Sequence, residues 1–451
     1  MERRWFGTDG VRGRVGTEPM TVDFVWALGR AAGNSFAKKS PKGRVMVARD
    51  TRESGPRLEA ALCAGLREAG LEVASVGVLP SGALAMLVQE KGACAGAILS
   101  ASHNPASDNG VKFCGADGAK LSEESEKEME RGLDLTKVAP ELKVAGAADF
   151  MCTAEAFDLY QGRLRRAFGS GAILKGVRIV VDAGHGAAWY TTPKILREMG
   201  AEVEVMSAQP DGKNINEGCG SEHPEKLIAA VKQRKGWMGL AHDGDADRMV
   251  LIDEDGERVD GDEVIGMVAL DALELGRLPD KTVVVTQMSN LGLDEMVMAH
   301  GGKVVRTAVG DRAVAEAMRK GGYLVGGEQS GHLLFHDVSP AGDGLLSALK
   351  VLDRVQRKGA RVADLRKGMR RFPQTLTNLK VRHKPAWESV PAVASAVREV
   401  EKELGTKGRI LLRYSGTENL MRLLVEADKM DTIDCVVGKL IPILQEHLGE
   451  K

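Results

Sequence analysis

The chain of 451 residues is 43% hydrophobic and 28% charged and holds 54 glycines, the composition of a folded α/β protein of several domains and not of a disordered one. Its 62 Lys and Arg nearly cancel its 63 Asp and Glu, so no broad basic field exists to hold nucleic acid or an anionic membrane, and any anion site must be local. Six cysteines at 63, 94, 114, 152, 219 and 435 show neither a C-x-x-C pair nor zinc-type spacing to histidine, and are expected to be reduced thiols.

The N-terminus, MERRWFGTDG, has no continuous apolar segment after its charges, and no run approaches the roughly 18 apolar residues of a membrane span. A cytoplasmic protein is expected. Gly7 to Gly13 forms a glycine-rich loop with one acid, Asp9, and one guanidinium, Arg12, which suits bidentate contact with a phosphate as well as an ordinary surface turn. The predicted elements then alternate: helix Val22 to Lys38, strand Arg44 to Val47, the turn Arg49 to Arg52, helix Arg57 to Ala69, strand Glu72 to Val76, and helix Ala83 to Gln89. The apolar run Ala95 to Leu99 reads as a buried strand that breaks at once into Ser, His, Asn and Pro. Ser102 thus stands on a loop at a strand's carboxyl end, where open α/β sheets bind their ligands.

After Lys120 a highly charged stretch reads as a solvated helix face, and helix Ala154 to Phe168 leads out of the first domain. A second series begins with strand Val177 to Val181; its loop Asp182 to Gly186 lacks the third glycine of a dinucleotide fingerprint. Strand Met238 to Ala241 enters Asp243-Gly244-Asp245-Ala246-Asp247-Arg248, followed by strand Met249 to Asp253. A third series runs through helix Asp262 to Glu274, strand Thr282 to Thr286, helix Gly292 to Ala299, strand Lys303 to Thr307, helix Arg312 to Arg319 and strand Tyr323 to Gly326, ending in Gly327 to His332. Past Pro373 come a short strand near Leu379, helix Val390 to Leu404, strands Arg409 to Arg413 and Met421 to Glu426, and helix Thr432 to Leu448. The fold class is α/β: three similar mixed α/β domains (1–155, 156–255, 256–370) around a central cleft and a smaller C-terminal α+β domain (371–451).

Asp243, Asp245 and Asp247 alternate, so in extended chain their carboxylates point the same way and repel unless a cation joins them. Oxygen-only ligands select a hard ion such as Mg2+ or Ca2+. An EF-hand is disfavoured, since Arg248 replaces the required glycine and both flanks read as strands. Mg2+ held by few carboxylates completes its shell with water and a phosphate oxygen, and a phosphorylated Ser102 would supply one. Glu328 and Ser330 offer a carboxylate and a hydroxyl for adjacent sugar hydroxyls. Arg413, Ser415, Gly416 and Thr417 join a guanidinium, hydroxyls and turn amides in a cradle for a phosphate dianion.

In order, FGTDGVRG, SASHNP, NGVKF, NINEGCGS, DGDADR, GEQSGH and RYSGTEN span essentially the whole chain and resemble the phosphohexomutase superfamily, NINEGCGS and GEQSGH pointing to its glucosamine branch. The resemblance implies an isomerase in which phosphorylated Ser102 donates to glucosamine 6-phosphate, forming a 1,6-bisphosphate that turns over and leaves glucosamine 1-phosphate for amino-sugar and cell-wall precursor synthesis. It implies Mg2+ on Asp243, Asp245, Asp247 and the Ser102 phosphate, and glucose or glucosamine 1,6-bisphosphate as activating primer. Glu328 and Ser330 would hold the sugar, and Arg413, Ser415, Gly416 and Thr417 the distant phosphate. Arg12, His103, Lys112, Arg248 and His332 would line the transfer site, with Lys112 or His332 as general base and acid. The expected partners are a small-molecule sugar phosphate and, at most, a second copy in a homodimer; neither nucleic acid nor membrane is expected. Two departures are His242 before the metal loop, expected to be a packed histidine and not a ligand, and Asn419 after the phosphate loop. The competing readings are the same chemistry on glucose or mannose phosphate, and a sugar-phosphate binding protein without turnover.

Overall fold

The computed structural model describes residues 4–7, 9–142, 150–169, 171, 173–415 and 418–450. Contacts divide the chain into one unit of Met1–Thr286 with Gly302–Lys367 and another of Gln287–Gly301 with Gly368–Lys451. The first unit carries three sheets built on one plan.

In the first sheet, β1 (Val11–Arg14), β2 (Arg44–Arg49), β3 (Glu72–Val78), β4 (Ala95–Leu99) and β5 (Asp108–Gly115) stand in the order β1-β5-β4-β2-β3. The strands β3, β2 and β4 are parallel, and β5 and β1 extend them antiparallel. The second sheet places β6 (Arg178–Asp182), β7 (Glu202–Met206), β8 (Met238–His242), β9 (Met249–Ile252) and β10 (Arg258–Val259) in the order β10-β9-β8-β6-β7, again three parallel strands and then two antiparallel ones. The third has β11 (Thr282–Thr286), β12 (Lys303–Thr307), β13 (Val325–Gly327) and β14 (Leu333–Phe335) in the order β12-β11-β13-β14, with only β14 antiparallel. This shared topology is the repeat expected from the three sequence series.

The plan also places the chemistry. In each sheet the last parallel strand turns back into an antiparallel neighbour, and that connection carries residues singled out in the sequence: 100–107 between β4 and β5, 243–248 between β8 and β9, and 328–332 between β13 and β14. Buried apolar strands hold the loops' roots, every residue of β4, β8 and β13 being buried. Helices Val22–Lys39 and Gly55–Glu68 pack Phe24, Leu28, Leu62 and Leu66 with Val45, Val47, Leu99 and Val111 into the first core.

The second unit has β15 (Gln374–Lys380), β16 (Gly408–Tyr414) and β17 (Leu420–Ala427) in the antiparallel order β15-β17-β16, with helices Pro391–Leu404 and Met430–His447 closing its core. It also contains helix Leu291–Ala299, whose start is fixed within the unit by Glu426 accepting from the Leu291 amide at 2.8 Å and by Asn290 bonding Phe372 in both directions at 3.0 Å.

Several elements go beyond the sequence reading. Residues 11–14, read as loop, form an edge strand because β5 supplies ladder partners about a hundred residues away. Strands β5, β7, β10 and β14 and helices Thr191–Glu198, Glu225–Lys232 and Gly344–Lys358 also had no predicted counterpart. No helix among the described residues is long and apolar enough to cross a membrane. All six cysteines are free thiols.

Helix Gly344–Lys358 starts at Asp343, whose carboxylate accepts from the Leu346 amide at 2.8 Å and from the fully buried Tyr160 hydroxyl at 2.9 and 3.0 Å. Burial pushes the Asp343 carboxyl up to about 6 from its ordinary 3.8. The native chain therefore binds this proton before the unfolded chain does, and the group's contribution weakens stability as pH rises between those two values. Asp343→Asn, which keeps the cap, is expected to flatten that part of the stability profile in urea unfolding. Tyr160→Phe leaves the carboxylate short of a donor and is expected to cost about 1–3 kcal/mol in the same measurement near neutral pH.

Candidate active site

The Ser102 loop follows the end of β4 as the sequence predicts, and Ser102 is fully buried with φ 52°. A non-glycine residue in that left-handed region costs about 1–2 kcal/mol, so the surroundings must hold it there. They do so at both ends of its peptide: its amide donates to Ser100 Oγ at 2.9 Å, and its carbonyl accepts from Arg52 Nη2 and Asn216 Nδ2, each at 2.9 Å. The turn leaves the hydroxyl directed at the aspartate loop 243–248, where Ser102 Oγ donates to Asp243 Oδ2 at 2.6 Å.

The loop 243–248 is a tight hairpin between β8 and β9, with Ala246 at φ 56°. Gly244 is required by packing, since a Cβ there would lie 2.5 Å from the Ser102 carbonyl oxygen. Oxygens of Asp243, Asp245 and Asp247 all lie within 4.8 Å of one another, and all three residues are buried. Burial and the repulsion of Asp247 and Asp245 push the Asp243 carboxyl well above its ordinary range. Asp245 Oδ2 accepts from Ser81 Oγ at 2.6 Å and from Lys112 Nζ at 2.7 Å, while its Oδ1 is buried without a hydrogen-bond partner. A convergent set of oxygen donors in which Asp245 Oδ1 and Asp247 Oδ1 are both buried without a hydrogen-bond partner fits a hard divalent cation. The three carboxylates could hold a metal.

Around them runs a chain of alternating charges. Lys112, on β5, also reaches Asp9 at 2.7 Å and Asp247 at 3.5 Å, and Asp9 in turn pairs with Arg12 and Lys120. Lys120 pairs with Asp311, whose Oδ2 lies 3.2 Å from His332 Nε2; His332 Nδ1 lies 3.6 Å from Asp247. Burial alone would discharge both bases. The carboxylates prevail, holding Lys112 well above the usual lysine value and His332 up at about 9. Arg248 Nη1 lies 3.3 Å from His103 Nδ1, and burial together with that guanidinium lowers the His103 pKa.

The 328–332 turn is knitted to the 243–248 hairpin. Gly331, at φ 89°, sits against Met249, whose amide donates to the Gly331 carbonyl at 3.2 Å. Glu328 accepts from the Gly310 amide at 3.0 Å, burial raises its pKa, and Ser330 is exposed. Ser102, Arg12, His103, Lys112, Arg248, His332 and the three aspartates therefore belong to one connected network, with Glu328 anchored beside it.

In the second unit, Arg413 and Arg422 are direct partners across β16 and β17, and burial together with Arg422 lowers the Arg413 pKa. Like charges directly opposite destabilise a sheet, and an anion relieves them. Ser415 Oγ accepts from the Glu418 amide at 3.3 Å, its carbonyl accepts from Lys384 Nζ at 2.9 Å, and Glu418 pairs with Arg422 at 3.2 Å. Gly416 and Thr417 lie outside the described residues.

His242 is a packed residue: Nδ1 meets the Arg248 carbonyl at 3.0 Å, Nε2 meets Thr192 Oγ1 at 3.2 Å, and burial lowers its pKa to about 4. Sequence reasoning gave no role to Arg52, Asn216, Ser81, Asp9, Lys120 or Asp311. Asp9, inside FGTDGVRG, and Asn216, inside NINEGCGS, lay in quoted motifs that could have flagged them; the other four act through partners distant in sequence.

Four consecutive segments match the phosphoglucomutase/phosphomannomutase family: alpha/beta/alpha domain I over residues 3–137, domain II over 160–256, domain III over 260–372, and the C-terminal domain over 376–438. Fold and site together define a phosphohexomutase. The chain is 42% identical to a phosphoglucosamine mutase of Syntrophotalea carbinolica over all of this chain and 99% of that protein, and 44% identical to one of Symbiobacterium thermophilum over 99% of each. The chain thus belongs to the phosphoglucosamine mutase branch of this family and is an isomerase. Among solved structures, a family protein of Burkholderia thailandensis superposes with TM-score 0.80 at 24% identity over 99% of each chain. The N-acetylphosphoglucosamine mutase of Aspergillus fumigatus, in complex with GlcNAc-6P and magnesium, gives 0.68 at 17% identity over 99% of this chain and 96% of that one.

Asp245→Asn is expected to weaken Mn2+ or Mg2+ binding by about tenfold or more in calorimetric titration, through the lost ligand charge. Ser81→Ala, which loosens the same carboxylate, is expected to weaken it by about tenfold.

Proposed function

We propose that the chain interconverts glucosamine 6-phosphate and glucosamine 1-phosphate through a phosphorylated Ser102. The observation that carries this reading is the Ser102 hydroxyl, presented by a left-handed turn at 2.6 Å from the first of three convergent carboxylates. The sugar's O1 attacks the phosphorus on Ser102; the O1–P bond forms, the Oγ–P bond breaks, and the proton leaving O1 is balanced by one reaching Oγ. The resulting glucosamine 1,6-bisphosphate reorients. Ser102 Oγ then attacks the phosphorus on O6, regenerating phosphoserine and releasing glucosamine 1-phosphate.

Asp243, Asp245, Asp247 and the Ser102 phosphate would hold Mg2+, which supplies positive charge against the phosphoryl oxygens. Lys112 and Arg12 add fixed cations beside the same loop. Lys112 and His332, whose pKa values the facing carboxylates raise, are the groups placed to serve as general acid and base at the exchanging oxygens. Glu328, fixed by the Gly310 amide, and Ser330 accept and donate to sugar hydroxyls. Arg413, Ser415, Gly416 and Thr417 grip the non-reacting phosphate, and a sugar 1,6-bisphosphate loads Ser102 initially.

Active protein is expected to carry a phosphoryl mass increment on the Ser102 peptide, and Ser102→Ala to lose at least about 10³-fold in kcat. Full turnover by that variant in a coupled assay would sink the reading. In kcat/KM comparisons, glucosamine 6-phosphate is expected to exceed glucose and mannose 6-phosphates; a preference for either of the latter reassigns the sugar.

A further inference from the structure

We infer that Arg52 and Asn216 are positioning residues for phosphoryl transfer, which clamp the 102–108 backbone so that Ser102 keeps one orientation with or without its phosphate; this rests on the phosphoserine reading above. Both residues bond the Ser102 carbonyl, while the Ser102 hydroxyl donates to Asp243. Arg52 Nη2 donates to the carbonyls of Ser102 at 2.9 Å and Asn104 at 2.8 Å, and Asn216 Nδ2 donates to the same two at 2.9 and 3.1 Å. Arg52 Nη1 collects the carbonyls of Pro105 and, at 2.9 Å, Asp108. One fully buried guanidinium thus gathers four carbonyls of a single loop.

The cation is held from behind. Asp50, also fully buried, accepts from Arg52 Nε at 2.8 Å, from the Arg52 amide at 3.0 Å and from Ser100 Oγ at 2.6 Å, and Ser100 Oγ accepts the Ser102 amide. The two donors come from different sheets: Arg52 follows β2, and Asn216 lies in the NINEGCGS segment between β7 and helix Glu225–Lys232. That segment is fixed by Asn216 N to the Gly184 carbonyl at 2.9 Å and by Ser221 N to the His242 carbonyl at 2.9 Å. The clamp therefore ties the Ser102 loop to the domain that carries the aspartates.

Every clamp contact to the loop is a main-chain one, so none is used up when Oγ gains or loses a phosphoryl group, which happens twice in each turnover. Displacement of a reacting atom by about 1 Å costs up to about 10²-fold in rate. Glu328 and Arg413, the expected substrate contacts, are untouched by the clamp, so the effect falls on kcat.

The test compares full-length wild type, Asn216→Gly, Arg52→Lys and the double variant. Glycine accommodates the φ of 59° at position 216 and removes the carboxamide together with its methylene. For Asn216→Gly, kcat is expected to fall by about tenfold or more with KM within about twofold. Hydrogen exchange should rise in the 100–110 peptide and stay level elsewhere. Because both residues act on one loop, the double variant should be no worse than about threefold below the poorer single variant.

A kcat of Asn216→Gly within about twofold of wild type, unchanged exchange over 100–110, or losses that multiply in the double variant would each overturn the clamp. Wild-type turnover without a phosphoryl increment on Ser102 would overturn the phosphoserine reading instead, and exchange in 100–110 would still decide whether the two side chains hold the loop.

Discussion

Three carboxylates buried on one six-residue hairpin repel each other, and the first unit is arranged to contain that repulsion. Each buried ion costs several kcal/mol in desolvation, which only close opposite charge and hydrogen bonds offset. Lys112 lies against Asp245, Asp247 and Asp9; Arg248 borders Asp247; and Ser102 and Ser81 donate to Asp243 and Asp245. The donors arrive from β5, from the start of helix Ser81–Glu90 and from the Ser102 loop, all parts of the first sheet's domain. Association of the first and second α/β domains is thus an electrostatic requirement of the hairpin as much as a consequence of apolar burial.

The repeated sheet plan explains how one ancestral-looking solution serves several tasks. A parallel strand that must reverse into an antiparallel neighbour needs a tight polar turn at its carboxyl end, and each turn carries a different set of side chains: a buried serine hydroxyl, a carboxylate triplet, a carboxylate beside a hydroxyl. The loops stay local and the scaffold stays apolar. Substitutions in the turns therefore alter the reaction more than the fold, with Gly244 and Gly331 as exceptions, because backbone from another loop or strand lies where their side chains would be.

Ser102, the aspartates and the 328–332 turn were legible because each depends on a short-range signal: an apolar run that stops abruptly, or carboxylates two residues apart. The buried strands β2, β4, β6, β8, β9, β11 and β13, with boundaries within a residue or two, were legible for the same reason, whereas β5 and β14 were not. Arg52 was read as part of a turn, and nothing beside it in sequence reveals that its acceptors lie some fifty residues on. Asp9, Lys120 and Asp311 resemble ordinary surface charges until the fold brings them into one chain ending at His332. Helix Gly344–Lys358 did carry a signal, a cap at Asp343 followed by helical apolar spacing, but it follows a cluster of Ser, Pro, Ala and Gly that reads as loop. Strand β1 had none, since its ladder depends wholly on β5.

The facing Arg413 and Arg422 have a further consequence. Two guanidiniums opposed across a ladder, with Glu418 engaging one of them, leave uncancelled positive charge at the mouth of a turn. Such a surface sorts ligands by valence before it sorts them by shape: a neutral sugar gains nothing there, a monoanion gains part, and a dianion gains most. Under the function proposed above, a dianionic phosphate would commit the ligand to this turn whichever face its sugar presents.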